Sequence, residues 1–405
     1  MSDTEIVWKE RGAERSARWH SEAGVAPPKR VVIADDTMTA DRAYRYACEG
    51  TALLWRGDFQ NARLLLQALG RRVDNGISGA RKVGKDGEKI AKPPRKGAAP
   101  AAPKAPPKPK TPTESFHLYR MGQAQRARIL GMLLIPFEAD HSIPLRRAPD
   151  VAVACTEAYG AADTPYIASL RELIGLIGAH EWRRRGLPIE ALGEKVKIHA
   201  HYGVFAPVRG EYLELVARAP LPRMELGFDI GTGTGVLAAI LANRGIKRVV
   251  ATELDPRALA CARDNVQRLK LSARVEVVEA DLFPPPEMGQ ANLIVCNPPW
   301  LPGKPGSPIE HAIYDPDSRM LKGFLSGLAA RLAPGGEGWL ILSDLAEHLG
   351  LRSREELLGW IAAAGLKDLG AMEARPQHAK ASDEDDPLHL ARKAEITSLW
   401  RLGVR

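Results

Sequence analysis

The chain has 405 residues, of which 45% are hydrophobic and 26% charged, a composition typical of globular proteins with room for two domains. It has no apolar run of about 20 residues, so an ordinary membrane helix is excluded, and its charged start lacks the apolar core of a secretory signal. Its four scattered cysteines form no CxxC or Cys/His cluster. We therefore expect no metal site, no disulfide framework and a cytoplasmic location.

The net charge of +8 comes from one segment. Residues 71–112 hold twelve Lys/Arg and three Asp/Glu, a net of +9, which leaves about −1 for the rest of the chain. Lys, Pro, Ala and Gly dominate this segment, and a chain with so few apolar side chains is expected to be a disordered linker, over 74–112. Two functions stay open: a plain solvated linker, or a tether that attracts polyanions such as RNA.

The residues on either side of this linker favour helices. Residues 41–72 carry Ala, Leu and aromatic residues at helical spacing, and later segments such as SLRELIGLIGAHEWRRRG do the same. We therefore expect a helical region over 1–73 and a helical accessory region over 113–197. Neither contains a recognisable chemical motif.

From about Met224 onward, apolar strand-like runs alternate with helical patterns. The strand candidates are MELGFDI, RVVATEL, RVEVVEA, NLIVC and GWLILS, and the segments LGAMEARPQ and AEITSLWRL are typical of a final strand pair. This alternation predicts a parallel sheet with helices on both faces. Ligands of such sheets bind at the carboxyl ends of the strands, so the chemistry is expected just after each strand.

The first three strands end in a glycine-rich turn and two acids. The turn is DIGTGTG (229–235), whose glycines permit close approach of a ligand to the backbone. Its spacing is not the GxGxxG of dinucleotide binding. Glu253 ends the second strand, where a carboxylate can accept from ribose hydroxyls, and Asp281 after the third could accept from an adenine amino group. Asp255, before Pro256, is typical of a helix N-cap.

The fourth strand ends in the sequence Asn297-Pro298-Pro299-Trp300. Proline cannot donate to a sheet ladder, so the strand stops here and the backbone is stiff. The Asn297 side-chain oxygen and the Pro298 carbonyl can both accept from one planar NH2 group, and Trp300 offers a flat face for stacking. The alternative is a purely structural turn that ends the strand.

In this order, DIGTGTG, TELDP, EADLF and NPPW resemble the class I S-adenosylmethionine-dependent methyltransferases. The resemblance covers roughly residues 198–405, and NPPW is similar to the NPP-aromatic motif of the amino-nitrogen, small-domain group. It implies a Rossmann-like sheet, S-adenosylmethionine as cofactor, and a target nitrogen held at the NPPW turn. The cofactor residues it implies are Asp229, Gly231, Thr232, Gly233, Gly235, Glu253, Asp281, Asn297, Phe205 and Pro207. The residues it implies for the target nitrogen are Asn297, Pro298, Pro299 and Trp300.

The resemblance does not fix the substrate. The continuation LPGKPGSPIEHAIYDPDSRMLKGFL differs from the Gly-rich stretch usual in glutamine methyltransferases, and Trp300-Leu301 differs from the ribosomal guanine enzymes. We expect a nucleic-acid base as substrate, with RNA favoured. A protein glutamine is the alternative enzyme substrate, and a non-catalytic module that binds cofactor or RNA is the alternative class. Four residues of loop 301–319 are further candidates for substrate contact: His311, Tyr314, Asp315 and Arg319. The oligomeric state stays open.

Overall fold

The computed structural model describes residues 5–77, 111–376 and 383–405, which form two α/β units, each built on its own sheet. None of the described helices is both long and apolar enough to span a bilayer. Most of the predicted 74–112 linker lies outside the described residues. Its first residues continue a helix that ends at Ile77, and the next helix begins at Pro112.

The first unit contains a six-stranded sheet. Its strands are β1 (Glu5–Glu10), β2 (Ala13–Trp19), β3 (Arg30–Ala34), β4 (Thr51–Trp55), β5 (Leu133–Phe137) and β6 (Tyr166–Ser169). Their order across the sheet is β1-β2-β6-β5-β4-β3. The helices of this unit are α1 (Ala40–Cys48), α2 (Phe59–Ile77), α3 (Pro112–Leu130), α4 (Ala152–Tyr159) and α5 (Leu170–Arg185).

The expectation of a mostly helical region before residue 198 is wrong, because these six strands pair into a sheet. Every residue of β4 and β5 is buried. A short, fully buried strand looks like an apolar run, which periodicity cannot distinguish from a buried helix. Residues 113–197 are not a separate accessory region either, since Leu53 of β4 pairs with Leu133 of β5. The first unit therefore takes strands from both sides of residues 78–110.

The second unit contains the predicted parallel sheet with a terminal antiparallel pair. A short pair, β7 (Leu187–Pro188) and β8 (Lys197–Ile198), precedes it. Its strands are β9 (Leu226–Ile230), β10 (Arg248–Glu253), β11 (Val275–Glu279), β12 (Ala291–Cys296), β13 (Leu332–Ser343), β14 (Leu366–Ala374) and β15 (Thr397–Val404). Across the sheet the order is β11-β10-β9-β12-β13-β15-β14, and β15 runs antiparallel to both its neighbours.

Helices cover both faces of this second sheet. Along β12, Leu293 and Val295 pack into the core on one face, whereas Ile294 and Cys296 pack into the core on the other. Cys296 is fully buried, and burial raises the pKa of its thiol. The helices are α6 (Gly210–Arg218), α7 (Val236–Asn243), α8 (Pro256–Arg268), α9 (Arg319–Arg331), α10 (Leu345–His348), α11 (Arg354–Ala363) and α12 (His389–Ala394).

Helix α3 joins the two units. Near its end, Ile129 is buried in the first unit. Near its start, Phe116 packs into a cluster with Tyr314 of the second unit. The Arg120 guanidinium lies 3.8 Å from the Tyr314 ring centroid, and its Nη1 donates to Glu310 Oε2 at 3.1 Å. The first unit therefore braces the loop that follows the NPPW turn.

A second joint lies at the first turn of α8. Asp255 caps this helix as predicted, accepting from the Arg257 and Ala258 N–H groups at 2.9 Å. The Arg257 side chain pairs with Glu22 of the first unit, with 2.6 Å between Nη1 and Oε2. Its Nη2 also donates to the Ala158 carbonyl at 3.0 Å. The helix that follows the second strand end is thereby fastened to the first unit.

Candidate active site

Four parallel strands end at the same edge of the second sheet, as the sequence predicts. Ile230, the last residue of β9, pairs with Thr252 of β10 and with Cys296 of β12. Glu253 of β10 pairs in turn with Glu279 of β11. The loops after these strands therefore begin at one level, at the carboxyl edge where open α/β sheets bind their ligands.

Asp229 lies beneath the glycine turn and has one unused acceptor. Its Oδ2 accepts from the Thr232 hydroxyl at 2.5 Å and from the Ala238 N–H at 2.9 Å. Its Oδ1 is buried and has no hydrogen-bond partner in the described part of the chain. Burial raises the pKa of Asp229 to about 6. Because an unsatisfied buried oxygen is costly, this atom could take an N–H donor from a ligand.

The glycine turn exposes its backbone. The φ angles are +68° at Gly231, +57° at Gly233 and +81° at Gly235, a region that favours glycine. A Cβ at Gly233 would meet no atom within 4 Å, so the space beside this residue is open. A Cβ at Gly231 would instead collide with the Met320 methyl group. A ligand could therefore approach the backbone closely at Gly233.

Glu253 contacts the glycine turn directly. Its Oε2 accepts from the Gly233 N–H at 3.0 Å, and its Oε1 accepts from the Leu254 and Asp255 N–H groups at 2.8 and 3.1 Å. A carboxylate offers about four acceptor positions, so one position remains for a hydroxyl donor. The acid predicted at the second strand end and the predicted turn thus meet in space.

Asp281 is held in an ion pair with Arg319. Its Oδ2 accepts from Arg319 Nη2 at 2.6 Å, which joins two residues that the sequence analysis assigned to cofactor and substrate separately. Both side chains are about half exposed or more. The loop of Asp281 nevertheless adjoins the second strand end, because the Thr252 hydroxyl donates to the Leu282 carbonyl at 2.5 Å.

The NPPW turn follows β12, and the side chains of its first and last residues are bonded to each other. The Trp300 indole N–H donates to Asn297 Oδ1 at 2.8 Å. Pro298 is buried, and Pro299 and Trp300 are partly buried. The Arg209 guanidinium lies 4.6 Å from the Trp300 ring centroid, so one face of the ring is covered. A planar substrate that stacks on Trp300 would therefore have to use the remaining surface of the ring.

Sequence reasoning missed Arg209 and its partner Glu395. Both terminal nitrogens of Arg209 donate to Glu395 Oε1 at 3.0 Å, and the Arg209 Nε donates to Glu211 Oε1 at 2.6 Å. Arg209 is only four residues after Phe205 in the segment already assigned to the site, which is a weak signal. Glu395 gives none, because it lies 186 residues away in the chain.

Loop 301–319 is held mainly by structural contacts. Tyr314 is buried beneath Arg120 of α3, and Asp315 accepts from the Met320 and Leu321 N–H groups at 3.1 Å, as a helix cap does. His311 is exposed. Tyr314 and Asp315 therefore have the ordinary packing and capping roles that compete with substrate contact.

Phe205 and Pro207 lie in the segment that leads into α6. Pro207 is buried and Phe205 partly buried. The neighbouring Gly203 lies close to Arg257 and Pro308, since a Cβ there would come within 3.5 and 3.7 Å of them. This segment thus passes between the start of α8 and the loop after NPPW.

The comparisons with known proteins match the second unit. Residues 195–353 match the sequence profile of the family described as methyltransferase small domain. Over these residues the second unit is similar to the small-domain group of the class I S-adenosylmethionine-dependent methyltransferases. The curated relatives that match this unit are named as methyltransferases, which are enzymes.

Two curated relatives each share 32% identity with this chain. The tRNA1(Val) (adenine(37)-N6)-methyltransferase of Shewanella loihica matches over 153 residues, 36% of this chain and 62% of its own length. The release factor glutamine methyltransferase of Moorella thermoacetica matches over 169 residues, 36% of this chain and 60% of its own length. The chain therefore spans about three fifths of each relative.

Among solved structures, the ribosomal protein L11 methylase of Lactobacillus delbrueckii subsp. bulgaricus aligns with 48% of this chain and 76% of its own. The sequence identity is 17% and the TM-score is 0.33.

Within the described residues, no group of three or more His, Cys, Asp and Glu side chains could hold a metal ion.

Proposed function

We propose that the protein transfers a methyl group from S-adenosylmethionine to an sp2 amino nitrogen of a nucleic-acid base, with RNA as the favoured substrate. The observation that carries this proposal is the alignment of two strand ends. The NPPW turn after β12 and the glycine turn after β9 start at the same level of adjacent strands. A donor over one turn and an amine at the other would then be neighbours.

The residues around the glycine turn fit the cofactor. The free Oδ1 of Asp229 would accept from the cofactor's amino group, and the open backbone at Gly233 would lie along its methionine part. The remaining acceptor position of Glu253 would bind a ribose hydroxyl. To bind the adenine amino group, Asp281 would either keep its ion pair with Arg319 and use another acceptor position, or break that ion pair.

Asn297 and Pro298 would orient the target amine. The lone pair of a base amino group is delocalised into the ring, so two fixed acceptors help to localise it and direct it at the methyl group. Trp300 uses one acceptor position of Asn297 Oδ1, and an amide oxygen has a second. S-adenosylmethionine supplies a methyl group on an already cationic sulfur. These residues therefore need to position the amine, and a strong base is not required.

Two features support a nucleic-acid substrate. The first is the basic segment 71–112 of the sequence, with its net charge of +9. The second is a concavity of about 280 Å³ between α5 and α8, which we call the basic concavity. Positive side chains in such places attract a phosphate backbone and make binding depend on salt. The basic concavity is lined by Glu157, His180, Arg183, Arg184, His199 and Arg268.

A protein glutamine is the second candidate substrate. The observation that favours it is the release factor glutamine methyltransferase of Moorella thermoacetica, which matches this chain as well as the tRNA enzyme does. A glutamine amide also offers a planar NH2 group, so Asn297 and Pro298 could hold it in the same way. A module that binds cofactor without catalysis is the remaining alternative.

The substrate class can be determined with radiolabelled S-adenosylmethionine. The protein is incubated with an extract from a strain that lacks its gene, and the product is treated with nuclease or with protease. Label that nuclease releases supports the RNA proposal, and label that only protease releases identifies a protein substrate. Cofactor binding without any labelled product would contradict the proposed transfer.

The catalytic assignment is tested by Asn297→Ala. We expect calorimetry to show that the variant still binds S-adenosylmethionine, with methyl transfer reduced on the order of 100-fold or more. The matched control is Asn292→Ala at the other end of β12, whose side chain accepts from the Leu226 N–H. Full activity of Asn297→Ala would refute the role of the NPPW turn.

A further inference from the structure

A continuous series of contacts connects the buried Glu395 to Asn297. Glu395 Oε1 accepts from both terminal nitrogens of Arg209 at 3.0 Å, and the Arg209 guanidinium lies 4.6 Å from the Trp300 ring centroid. The Trp300 indole N–H then donates to Asn297 Oδ1 at 2.8 Å. Four side chains from three segments of the chain thus meet at the carboxyl edge of the second sheet.

The far end of this series is buried at the sheet edge. The Glu395 side chain is fully buried, and its Oε1 also accepts from the hydroxyl of Ser343, the last residue of β13, at 2.7 Å. The Arg209 side chain is 16% exposed and donates through Nε to Glu211 as well. Since its Nε, Nη1 and Nη2 all have carboxylate partners, Arg209 is poorly placed to bind a phosphate of the substrate. The remaining contact of the Arg209 guanidinium is the one with the Trp300 ring, and substrate binding by Arg209 does not explain it.

The Trp300–Asn297 hydrogen bond defines which way the Asn297 amide faces. An indole N–H can only donate, so it bonds the amide oxygen and disfavours the flipped amide, which would present its NH2 group instead. In the flipped orientation, an NH2 group would face the amino group of the acceptor, and neither could accept. The orientation of the Trp300 ring therefore decides whether Asn297 can hold the acceptor.

We propose that Arg209 and Glu395 are positioning residues, which hold the Trp300 ring so that Asn297 presents its oxygen to the acceptor amine. Glu395 anchors Arg209 to the sheet edge, and Arg209 covers one face of Trp300 and limits its rotation. The acceptor then stacks against what is left of the ring surface. This inference rests on the proposed methyl transfer, in which Asn297 is the group that touches the substrate.

The test uses conservative variants of the full-length protein. Arg209→Lys keeps the charge but loses the planar fork, and Glu395→Gln keeps the shape but loses the charge. The first unit offers a matched control, because Arg56 lies 5.9 Å from the Trp8 ring and donates to Glu10 at 3.1 and 2.9 Å. Arg56→Lys and Glu10→Gln therefore remove the same kind of contact away from the proposed site.

Three measurements separate positioning from folding and from donor binding. Calorimetry gives the Kd of S-adenosylmethionine, and methyl transfer is followed on RNA extracted from a strain without the gene. The ¹⁵N–¹H spectrum of the indole groups reports on Trp300, whose signal is assigned by its loss in Trp300→Phe. We expect Arg209→Lys and Glu395→Gln to shift this signal and to lower kcat about 10- to 100-fold. The Kd of the donor should change less than twofold, and both controls should behave as wild type.

Other outcomes would overturn the proposal. An unchanged kcat in both variants would refute it, and so would an unmoved Trp300 signal. A donor Kd weakened in parallel with kcat would mean that Arg209 acts on the cofactor instead. If even the wild-type protein transfers no methyl group, the proposed function fails. The indole spectrum then still shows on its own whether Glu395 and Arg209 control the Trp300 ring.

Discussion

At the scale of single residues, Asp229 should make stability depend on pH. Its pKa is raised from 3.8 in the unfolded chain to about 6 by burial, so the folded protein binds a proton more tightly. The resulting stabilisation is complete below pH 3.8 and is lost as the pH rises through 6. Asp229→Asn removes this dependence. Relative to wild type, the variant should therefore gain about 2 to 3 kcal/mol between pH 4 and pH 7.

Urea unfolding at pH 4, 5, 6 and 7 measures this difference. The comparison is made between the two proteins at each pH, so that titration of other groups cancels. The asparagine oxygen can still accept from Thr232 or Ala238, which limits the structural damage. A difference in unfolding free energy that stays constant with pH would contradict the raised pKa.

The residues of the candidate site that could be predicted are those that a strand end defines. Asp229, Glu253 and Asn297 each hold a fixed place relative to a buried apolar run, and parallel strands bring such places together. Arg209 and Glu395 could not be predicted, since their pairing joins residues 186 apart and follows no periodicity. The Asp281–Arg319 pair was missed for the same reason, although both residues were singled out separately.

At the scale of secondary-structure elements, α3 should control the acceptor side of the site. Arg120→Ala removes the contact with the Tyr314 ring and the pair with Glu310, together worth about 1 to 2 kcal/mol. Loop 301–319 follows the NPPW turn directly, so a looser loop should misplace the acceptor. We expect methyl transfer to fall about 10-fold while the Kd of S-adenosylmethionine stays unchanged.

The control lies on the same helix. Arg126→Ala removes a pair with Asp74 at 2.7 Å, within the first unit. Thermal unfolding shows whether the two variants lose similar stability, and transfer assays then compare their activity. Equal loss of activity in both would mean that α3 acts only through overall stability, against this prediction.

The two sheets differ in how well the sequence predicted them. In the second unit β9, β10 and β13 are each followed by a helix within a few residues, so alternation along the chain was enough to predict the sheet. In the first unit β4 and β5 are neighbours in space, but two helices and the basic segment separate them in sequence. The β4–β5 pairing depends on that long-range contact, which local patterns do not encode. In the first unit, the sequence pattern therefore indicated the helices and not the sheet.

At the scale of the whole molecule, charge is concentrated in two places. The sequence located the basic segment 71–112. It did not locate the basic concavity, because Arg184 of α5 and Arg268 of α8 belong to different units and meet only through folding. Ion pairs such as Arg183 with Glu157 and Asp264 tie α5 to α4 and α8 there. The contacts between α5 and α8 thus hold the two units together, and the same surface is a candidate contact site for RNA.

Reversing charge in the basic concavity should weaken RNA binding in a salt-dependent way. Arg184→Glu combined with Arg268→Glu removes two positive charges there and adds two negative ones, which lowers the net charge by four. Each lost phosphate contact lowers the slope of log K against log salt by about 0.7 to 0.9, so we expect the slope to fall by about 1 to 2. Affinity for RNA at 0.1 M salt should fall about 10-fold or more, as measured by filter binding across a salt series.

The control makes the same change in net charge elsewhere. Arg15→Glu in β2 and Lys367→Glu in β14 are both exposed and lie outside the concavity. If the control pair weakened binding equally, the effect would come from net charge alone, and the concavity would not be a contact site. A reduced slope in the concavity variant only, with unchanged affinity for S-adenosylmethionine, would place the RNA backbone across the junction of the two units. RNA bound there would contact both units at once, which would explain why the second unit is held by several side-chain contacts to the first.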